Sequence, residues 1–256
     1  MSPTAPALAR TYSDREYPDP WEKVLDYRRV QEYAAEHPKH GRTRVGNALD
    51  LPPSRIRAWL KDGMPDSVRG IQTAIDHGWL DPDDDMAIRL VELLAHVLSG
   101  GSITADTFVP AVTTARRVGL DEIREAFERV GVEVAVRHDD TDGRATEVVP
   151  TTDASVLGRC LVTMGAPAGE KVGYDTFPEV VWEVSSETRR SFARIYIAHR
   201  AAEFAAKRTM VIQEDRSKEY LRGLRELLAD VTGKTVTVGD RKVTISADAV
   251  RALDQA

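Results

Sequence analysis

Residues 93–103 read Leu93-Leu94-Ala95-His96-Val97-Leu98-Ser99-Gly100-Gly101-Ser102-Ile103. The stretch is apolar at helical spacing, ends in small residues and leads into a segment that predicts a strand. A related stretch further along the chain reads Phe192-Ala193-Arg194-Ile195-Tyr196-Ile197-Ala198-His199-Arg200-Ala201. When the two are aligned, Gly100 and Arg200 occupy the same position, at an offset of 100 residues. Two copies of one helix-to-strand pattern indicate an internal repeat.

The segments around the two copies predict secondary structure in the same order. After the first copy we expect strands over 102–104 and 107–112, a helix over 121–130, strands over 132–137 and 145–149, and a helix over 152–164. The second copy lies in a predicted helix over 186–204, followed by a strand over 207–213, a helix over 215–231, strands over 235–238 and 242–245, and a last helix from 246. The sequence therefore predicts an α+β body made of two similar halves.

Both copies resemble the signature helix of the LAGLIDADG homing endonucleases, which ends in Asp-Gly and runs into a strand. In that family the terminal aspartate of each copy holds the divalent metal that cuts DNA. Gly100 and Arg200 stand at the two aspartate positions, and neither supplies the oxygen ligands that Mg²⁺ requires. The resemblance therefore implies the fold of the family without catalytic residues, without a metal and without another cofactor.

Further segments carry the same resemblance, which extends over about residues 86–256. The stretches that look like elements of archaeal family members are 157–171, 216–221 and 245–249. The resemblance implies a pseudo-twofold αββαββα duplication with half-repeats at about 86–165 and 186–256, whose motif helices pack along the axis. In that seam we expect the small residues Ala95, Ser99, Gly100, Gly101, Ala198, Ala201 and Ala202.

The sheets of this family straddle DNA, which assigns a candidate role to basic residues on the predicted strands. The candidate phosphate contacts are Lys207, Arg208, Arg241 and Lys242. Cations on exposed strands also serve as ordinary protection of a sheet edge, and both interpretations stay open.

The charge of the chain is unevenly distributed. The whole chain carries a net charge of −6, whereas residues 28–61 hold eight basic residues and three acidic ones, a net charge of +5. The basic residues are Arg28, Arg29, Lys39, Arg42, Arg44, Arg55, Arg57 and Lys61. A basic segment in an acidic chain is typical of a DNA-reading module attached to a carrier domain.

The same segment predicts a helix-turn-helix, which we place at residues 21–80 after a flexible arm over residues 1–20. Helices are expected over 24–36, 42–49 and 53–61, with the tight turn at 50–52 and Pro53 opening the third helix. Ile56, Trp59 and Leu60 fall on its inner face. The expected DNA contacts are Arg42, Thr43, Arg44, Ser54, Arg55, Arg57 and Lys61.

Residues 42–80 resemble helix-turn-helix modules of haloarchaeal regulators, with an Arg-Ile-Arg-x-Trp core and a trailing His-Gly-Trp-Leu. The next segment, Asp81–Asp85, is acidic. We interpret it as a helix start, with Asp81 as the cap and Pro82 as the first helical residue, rather than as a metal site.

Composition indicates the cellular compartment in which the protein is expected. Cys160 is the only cysteine, so no intrachain disulfide can form, which fits a reducing cytoplasm. No apolar stretch approaches the length of a membrane span, and the N-terminus lacks the apolar run of a signal peptide. We therefore expect a cytoplasmic protein without a membrane partner.

These features favour a sequence-specific protein that binds double-stranded DNA, a transcription regulator with a catalytically inactive endonuclease-like body. One alternative is an active nuclease, for which the nearby acids Asp106 and Glu203 are out of register with the motif. Another is a regulator that senses a small effector and whose body does not touch DNA. The sequence leaves the operator, the effector and the oligomeric state open.

Overall fold

The computed structural model describes residues 2–141, 143–204 and 208–254. The chain divides into two compact units. The N-terminal unit comprises Thr4–Asp76, and the C-terminal unit comprises residues 77–256 together with residues 1–3. No helix in the described part of the chain is both long and apolar enough to cross a membrane.

The N-terminal unit is helical. Its elements are α1 (Ala5–Ala9), α2 (Pro20–Glu36), α3 (Arg42–Leu49), α4 (Pro53–Ile56) and α5 (Asp66–Asp76). Helix α2 starts where the sequence favours a start, because the Asp19 carboxylate accepts from the Trp21 N–H at 3.0 Å and Pro20 takes the first helical position. The hydrophobic core of the N-terminal unit comprises Tyr17, Val30, Val45, Leu51, Ile56 and Trp59.

Two expectations for this unit were wrong. The arm predicted for residues 1–20 contains α1, whose Leu8 and Ala9 are fully buried, so burial of apolar side chains orders this segment. The third helix was expected to run to Lys61, but α4 ends at Ile56 and residues 57–62 continue as turns. The predicted inner side chains Ile56 and Trp59 are nevertheless buried.

The C-terminal unit contains the predicted repeat. The first half comprises α6 (Asp84–Gly100), β1 (Gly101–Ile103), β2 (Pro110–Thr113), α7 (Leu120–Glu128), β3 (Val134–Arg137), β4 (Glu147–Pro150) and α8 (Ala154–Thr163). The short helix α9 (Val180–Glu183), which the sequence did not predict, comes next. The second half comprises α10 (Ser186–Arg200), β5 (Ala201–Phe204), β6 (Thr209–Gln213), α11 (Lys218–Thr232), β7 (Val236–Val238), β8 (Lys242–Ile245) and α12 (Ala247–Asp254).

The strands of each half form an antiparallel sheet of one topology. The strand order is β1-β2-β4-β3 in the first sheet and β5-β6-β8-β7 in the second. Each motif helix, α6 and α10, continues without a break into the edge strand of its own sheet. The α+β class and the presence of a repeat are therefore confirmed. The helix expected over 186–204 was too long, because α10 ends at Arg200 and Ala201–Phe204 form β5, which pairs with β6.

The start of α6 differs from the prediction in its capping residue. The Asp83 carboxylate, not that of Asp81, accepts from the Met86 N–H at 2.8 Å, and Asp84 and Asp85 occupy the first turn. Asp81 instead adopts a left-handed backbone with φ 46°. The acidic run still lies at the positive end of the helix dipole, as its composition favours.

Candidate functional site

The basic residues expected to contact DNA lie mainly on the surface of the N-terminal unit. Arg42, Thr43 and Arg44 form the exposed first turn of α3. Ser54 in α4 and the residues Arg57 and Lys61 just after it are also exposed. Within the described part of the chain, Arg42, Arg44, Arg57 and Lys61 form no ion pair, whereas Arg10, Lys23 and Arg29 of the same unit are each paired with an aspartate. The unpaired set keeps its charge available to a partner.

The tight turn between α3 and α4 depends on Gly46. The Leu51 N–H donates to the Gly46 carbonyl at 2.9 Å, and Asp50 closes α3 in the left-handed region with φ 54°. A β-carbon on Gly46 would lie 2.6 Å from the Leu51 carbonyl oxygen. Glycine therefore permits the close approach that brings α4 against α3.

Arg55 differs from the other expected DNA contacts because its guanidinium is engaged within the unit. Its Nε donates to Glu16 Oε2 at 3.1 Å, and its Nη1 donates to the Tyr17 hydroxyl at 3.3 Å. The guanidinium carbon also lies 4.7 Å from the centre of the Tyr17 ring. Arg55 therefore ties α4 to the segment before α2, and only 25% of its side chain is exposed.

In the C-terminal unit, the two motif helices pack directly against each other. Ser191 Oγ donates to Glu92 Oε1 at 2.6 Å in the middle part of the helices, and Nδ1 of His96 lies 2.9 Å from Nε2 of His199 nearer their C-terminal ends. The helices therefore run in the same direction along the seam. At its end, a β-carbon on Gly100 would lie 2.1 Å from His199 Nδ1, so a small residue is required there, as expected.

Ala198 does not lie in the close-packed part of the seam beside Gly100. It is half-buried and borders a separate cavity with Met210, Val250 and Leu253. The small residues of the second copy thus do not mirror those of the first.

The histidine pair in the seam is held in the neutral form. Burial, together with the neighbouring His199, lowers the pKa of His96 to about 3. Burial and repulsion from Lys171 and Arg200 together lower the pKa of His199 to about 4. A hydrogen bond between two imidazoles needs one ring nitrogen as an acceptor, which a fully protonated pair lacks.

Lys171 and Arg117 bind equivalent carbonyls at the C-terminal ends of the two motif helices. Lys171 Nζ donates to the carbonyls of Val97 at 2.6 Å and Leu98 at 3.0 Å, and to that of Gly101. Arg117 Nη2 donates to the carbonyls of Ile197 at 3.1 Å and Ala201. The two sets correspond under the repeat offset, and a cation at a helix C-terminus is favourable.

Arg200, at the second motif position, is part of an ionic network whose other members, Glu214 and Arg216, are buried. Arg200 Nε donates to Glu214 Oε1 at 3.0 Å, and Arg200 Nη2 donates to Glu214 Oε2 at 3.1 Å. The Tyr196 hydroxyl donates to Glu214 Oε1 at 2.7 Å. Arg216 Nε lies 3.7 Å from Glu214 Oε2, and its Nη2 donates to the Leu98 carbonyl at 2.6 Å. Two arginines, Arg200 and Arg216, thus gather around one glutamate at this end of the motif helices.

A cavity of about 580 Å³ opens at the ends of the two motif helices. Its charged lining consists of Glu147, Lys171, Arg200, Glu214, Asp215 and Arg216, and His199 also borders it. We call it the motif-end cavity. Among the described residues, no group of three or more His, Cys, Asp and Glu side chains is arranged to hold a metal ion.

No protein-family model and no curated protein matches this sequence. Solved structures are similar to it. One is described as the N-terminal LAGLIDADG domain of DUF199/WhiA, with 12% identity and a TM-score of 0.44, and the match covers 66% of this chain and 82% of that chain. Another is full-length DUF199/WhiA from Thermatoga maritima, with 13% identity and a TM-score of 0.45, and the match covers 68% of this chain and 56% of that chain.

The acids considered for an active nuclease do not lie together at the motif ends. Asp106 is exposed in the loop between β1 and β2. Glu203 pairs with Arg117 at 3.0 Å. Neither lines the motif-end cavity.

The candidate phosphate contacts on the strands have different surroundings. Lys207 lies outside the described residues. Arg208 is exposed at a left-handed position with φ 50°, and Lys242 is exposed on β8. Arg241 pairs with Asp215. Of the three candidates that the structure describes, Arg208 and Lys242 form no ion pair with another described residue, whereas Arg241 does.

The sequence interpretation missed Lys171, Glu214 and Arg216 as parts of one cluster. Lys171 and Arg216 do lie in the stretches that resemble the archaeal family members. Their roles depend on contacts across more than 70 residues, such as Lys171 to Val97 and Arg216 to Leu98. A pattern along a single sequence does not encode such contacts.

Proposed function

We propose that this protein is a sequence-specific DNA-binding regulator whose N-terminal unit is a helix-turn-helix and whose C-terminal unit is a LAGLIDADG-like body without nuclease activity. The observation that carries the proposal is the set of exposed cations without ion pairs at α3 and α4, namely Arg42, Arg44, Arg57 and Lys61. Unpaired surface cations gain most from neutralising phosphates, because binding releases condensed counterions.

The arrangement of α3, the Gly46 turn and α4 supports the same assignment, because a tight turn between two short helices is the core of a helix-turn-helix. Arg57 follows α4 immediately and is the arginine best placed to contact base edges. Arg55 holds the segment before α2, and we assign it a positioning role. Arg42 and Arg44 are proposed as phosphate contacts.

The absence of cleavage is proposed on separate grounds. Gly100 has no side-chain ligand, and Arg200 holds Glu214 in a double hydrogen bond. A carboxylate paired in this way is a poor ligand for Mg²⁺, which binds oxygen donors and retains its own water. Supercoiled plasmid incubated with the protein and Mg²⁺ or Mn²⁺ should stay intact. Nicking that disappears in Glu214→Gln or Glu147→Gln would establish the nuclease alternative instead.

DNA binding is tested with full-length protein and a labelled random-sequence duplex in fluorescence anisotropy. The variant that combines Arg42→Gln, Arg44→Gln and Arg57→Gln should bind more weakly and show a shallower dependence of log K on log salt, by about one unit for each lost phosphate contact. Arg69→Gln is the matched control, since Arg69 is exposed in the same unit and paired with Asp66. Equal affinity and equal salt dependence for the wild type and the combined variant would contradict the proposal.

A further inference from the structure

The motif-end cavity is large enough for a small ligand. Its volume of about 580 Å³ falls within the range of about 300–1,000 Å³ that is typical of small-molecule sites. It lies where the two motif helices end and where Lys171, Arg200 and Arg216 converge. The proposed DNA interface of the N-terminal unit contributes none of its residues to it.

Arg216 presents buried donors that have no acceptor. Its side chain is 2% exposed, and one of its nitrogens donates to the Leu98 carbonyl. Its Nε and Nη1 are buried and have no hydrogen-bond partner among the described residues, although Nε lies 3.7 Å from Glu214 Oε2. Buried guanidinium donors without acceptors are costly, so an anion beside Arg216 would remove a penalty that the folded chain otherwise carries.

The neighbouring side chains of Arg200 and Lys171 also favour an anion beside Arg216. Arg200 is 40% exposed, and its Nε and Nη2 are engaged with Glu214 and the Gln213 carbonyl, which leaves Nη1. Burial, with repulsion from Arg216 and Arg200 and partly offset by Glu214, lowers the pKa of Lys171 to about 7, so this lysine is partly protonated near neutral pH. Lys171 uses its donors on the end of α6, so it contributes charge rather than a direct contact.

The three acids that line the cavity have different partners. Glu214 is the one carboxylate within the cluster of Arg200 and Arg216 among the described residues. Asp215 pairs with Arg241, and Glu147 lies 3.8 Å from Nε2 of His138. Two arginines, Arg200 and Arg216, therefore lie against a single carboxylate.

We propose that the motif-end cavity binds a phosphate group, with Arg216 and Arg200 as its hydrogen-bond donors. The planar guanidinium fork matches the oxygens of a phosphate, and charge-assisted bonds of this kind are stronger than neutral ones. The position that holds a metal cation in the homing endonucleases thus holds an anion in this chain. The phosphate belongs either to a free phosphate ester or to the backbone of DNA, and the test separates these two sources.

The first arm measures binding of inorganic phosphate and adenosine 5′-monophosphate to full-length protein by isothermal titration calorimetry at constant ionic strength. Arg200→Gln and Arg216→Lys should each weaken binding about tenfold or more, as expected for the loss of a hydrogen bond between charged groups. Glu147→Gln should strengthen it by removing a like charge from the cavity. The matched control is Arg222→Gln, because Arg222 is exposed and paired with Glu219 in the same unit.

The second arm measures binding of a short duplex in a background where Arg42, Arg44 and Arg57 are already glutamine. If Arg200→Gln weakens binding of the duplex further, the site binds DNA phosphate. If Arg200→Gln weakens binding of adenosine 5′-monophosphate, the site binds a free phosphate ester. If Arg216→Lys fails to fold by circular dichroism, Arg200→Gln and Glu147→Gln still decide the question. The proposal is overturned if neither small ligand nor the duplex responds to Arg200→Gln.

Discussion

His199 Nδ1 occupies the space that a β-carbon on Gly100 would need, at 2.1 Å from its position. The contact joins the last residue of α6 to the end of α10, beside the hydrogen bond between His96 and His199. The position at which the homing endonucleases require an aspartate therefore has no room for a side chain. The close packing of α6 and α10 therefore excludes a carboxylate side chain at residue 100.

Gly100→Ser should lower the melting temperature of the protein, because His199 must move and break its hydrogen bond to His96. Overpacking of this kind costs about 1–3 kcal/mol in the free energy of unfolding. Gly119→Ser serves as the control, since no atom lies within 4 Å of a β-carbon placed on Gly119. The double variant Gly100→Ser/His199→Ala should recover part of the loss. A melting temperature unchanged by Gly100→Ser would show that the seam is looser than described.

The histidine pair makes stability dependent on pH. The folded pKa values of about 3 for His96 and about 4 for His199 lie below the unfolded value of about 6.5. As the pH falls below about 6.5, the unfolded chain binds protons that the folded chain excludes, so the free energy of unfolding decreases. At pH 5 the decrease from His96 is about 2 kcal/mol relative to neutral pH.

This dependence is measured by urea unfolding at pH 7.5 and pH 5.0. His96→Gln removes one of the two groups, so the difference between the two pH values should shrink in that variant. An equally large difference in wild type and His96→Gln would assign the acid sensitivity to other groups.

Lys171→Met should destabilise the C-terminal unit, because it removes the ammonium that donates to the carbonyls of Val97, Leu98 and Gly101. Removing one partner of a buried hydrogen bond costs about 1–3 kcal/mol. Lys218→Met is the matched control, since Lys218 is 59% exposed and pairs with the exposed Asp240, and such surface pairs contribute at most about 1 kcal/mol. Equal effects of the two variants in urea unfolding would argue against the capping role of Lys171.

The sequence predicted the body of this protein better than its functional details. Both motif helices could be located from the helical spacing of apolar residues around Leu94 and Ile197 and from the small residue Gly100. Helical spacing and residue size can be read from a short stretch of sequence. The length of α4 was overestimated, since Arg57 to Asp62 form turns although their composition suits a helix. The pairing of Arg200 with Glu214 and the cap of Lys171 on α6 arise from tertiary contacts that no local pattern specifies.

Arg55 and Arg57 should respond differently to substitution, although they stand two positions apart. Arg57→Ala should weaken the free energy of binding to a cognate site by about 1–3 kcal/mol, as expected for the loss of a base contact. The same change should weaken binding to a scrambled duplex less. Arg55→Ala should mainly lower the stability of the N-terminal unit, because it frees Glu16 and Tyr17. Binding on both duplexes and thermal melting of both variants distinguish these roles. Equal loss on both duplexes for Arg57→Ala would restrict it to a phosphate contact.

The central claim is that the protein reads a DNA sequence through its N-terminal unit and does not cut it. The most direct measurement is selection of bound duplexes from a random pool by full-length protein with Mg²⁺ present, in parallel with the variant that combines Arg42→Gln, Arg44→Gln and Arg57→Gln. The account predicts that the wild type enriches a defined motif in intact duplexes and that the combined variant does not. An unenriched wild-type pool, the same motif enriched by both proteins, or cleaved duplexes would contradict it.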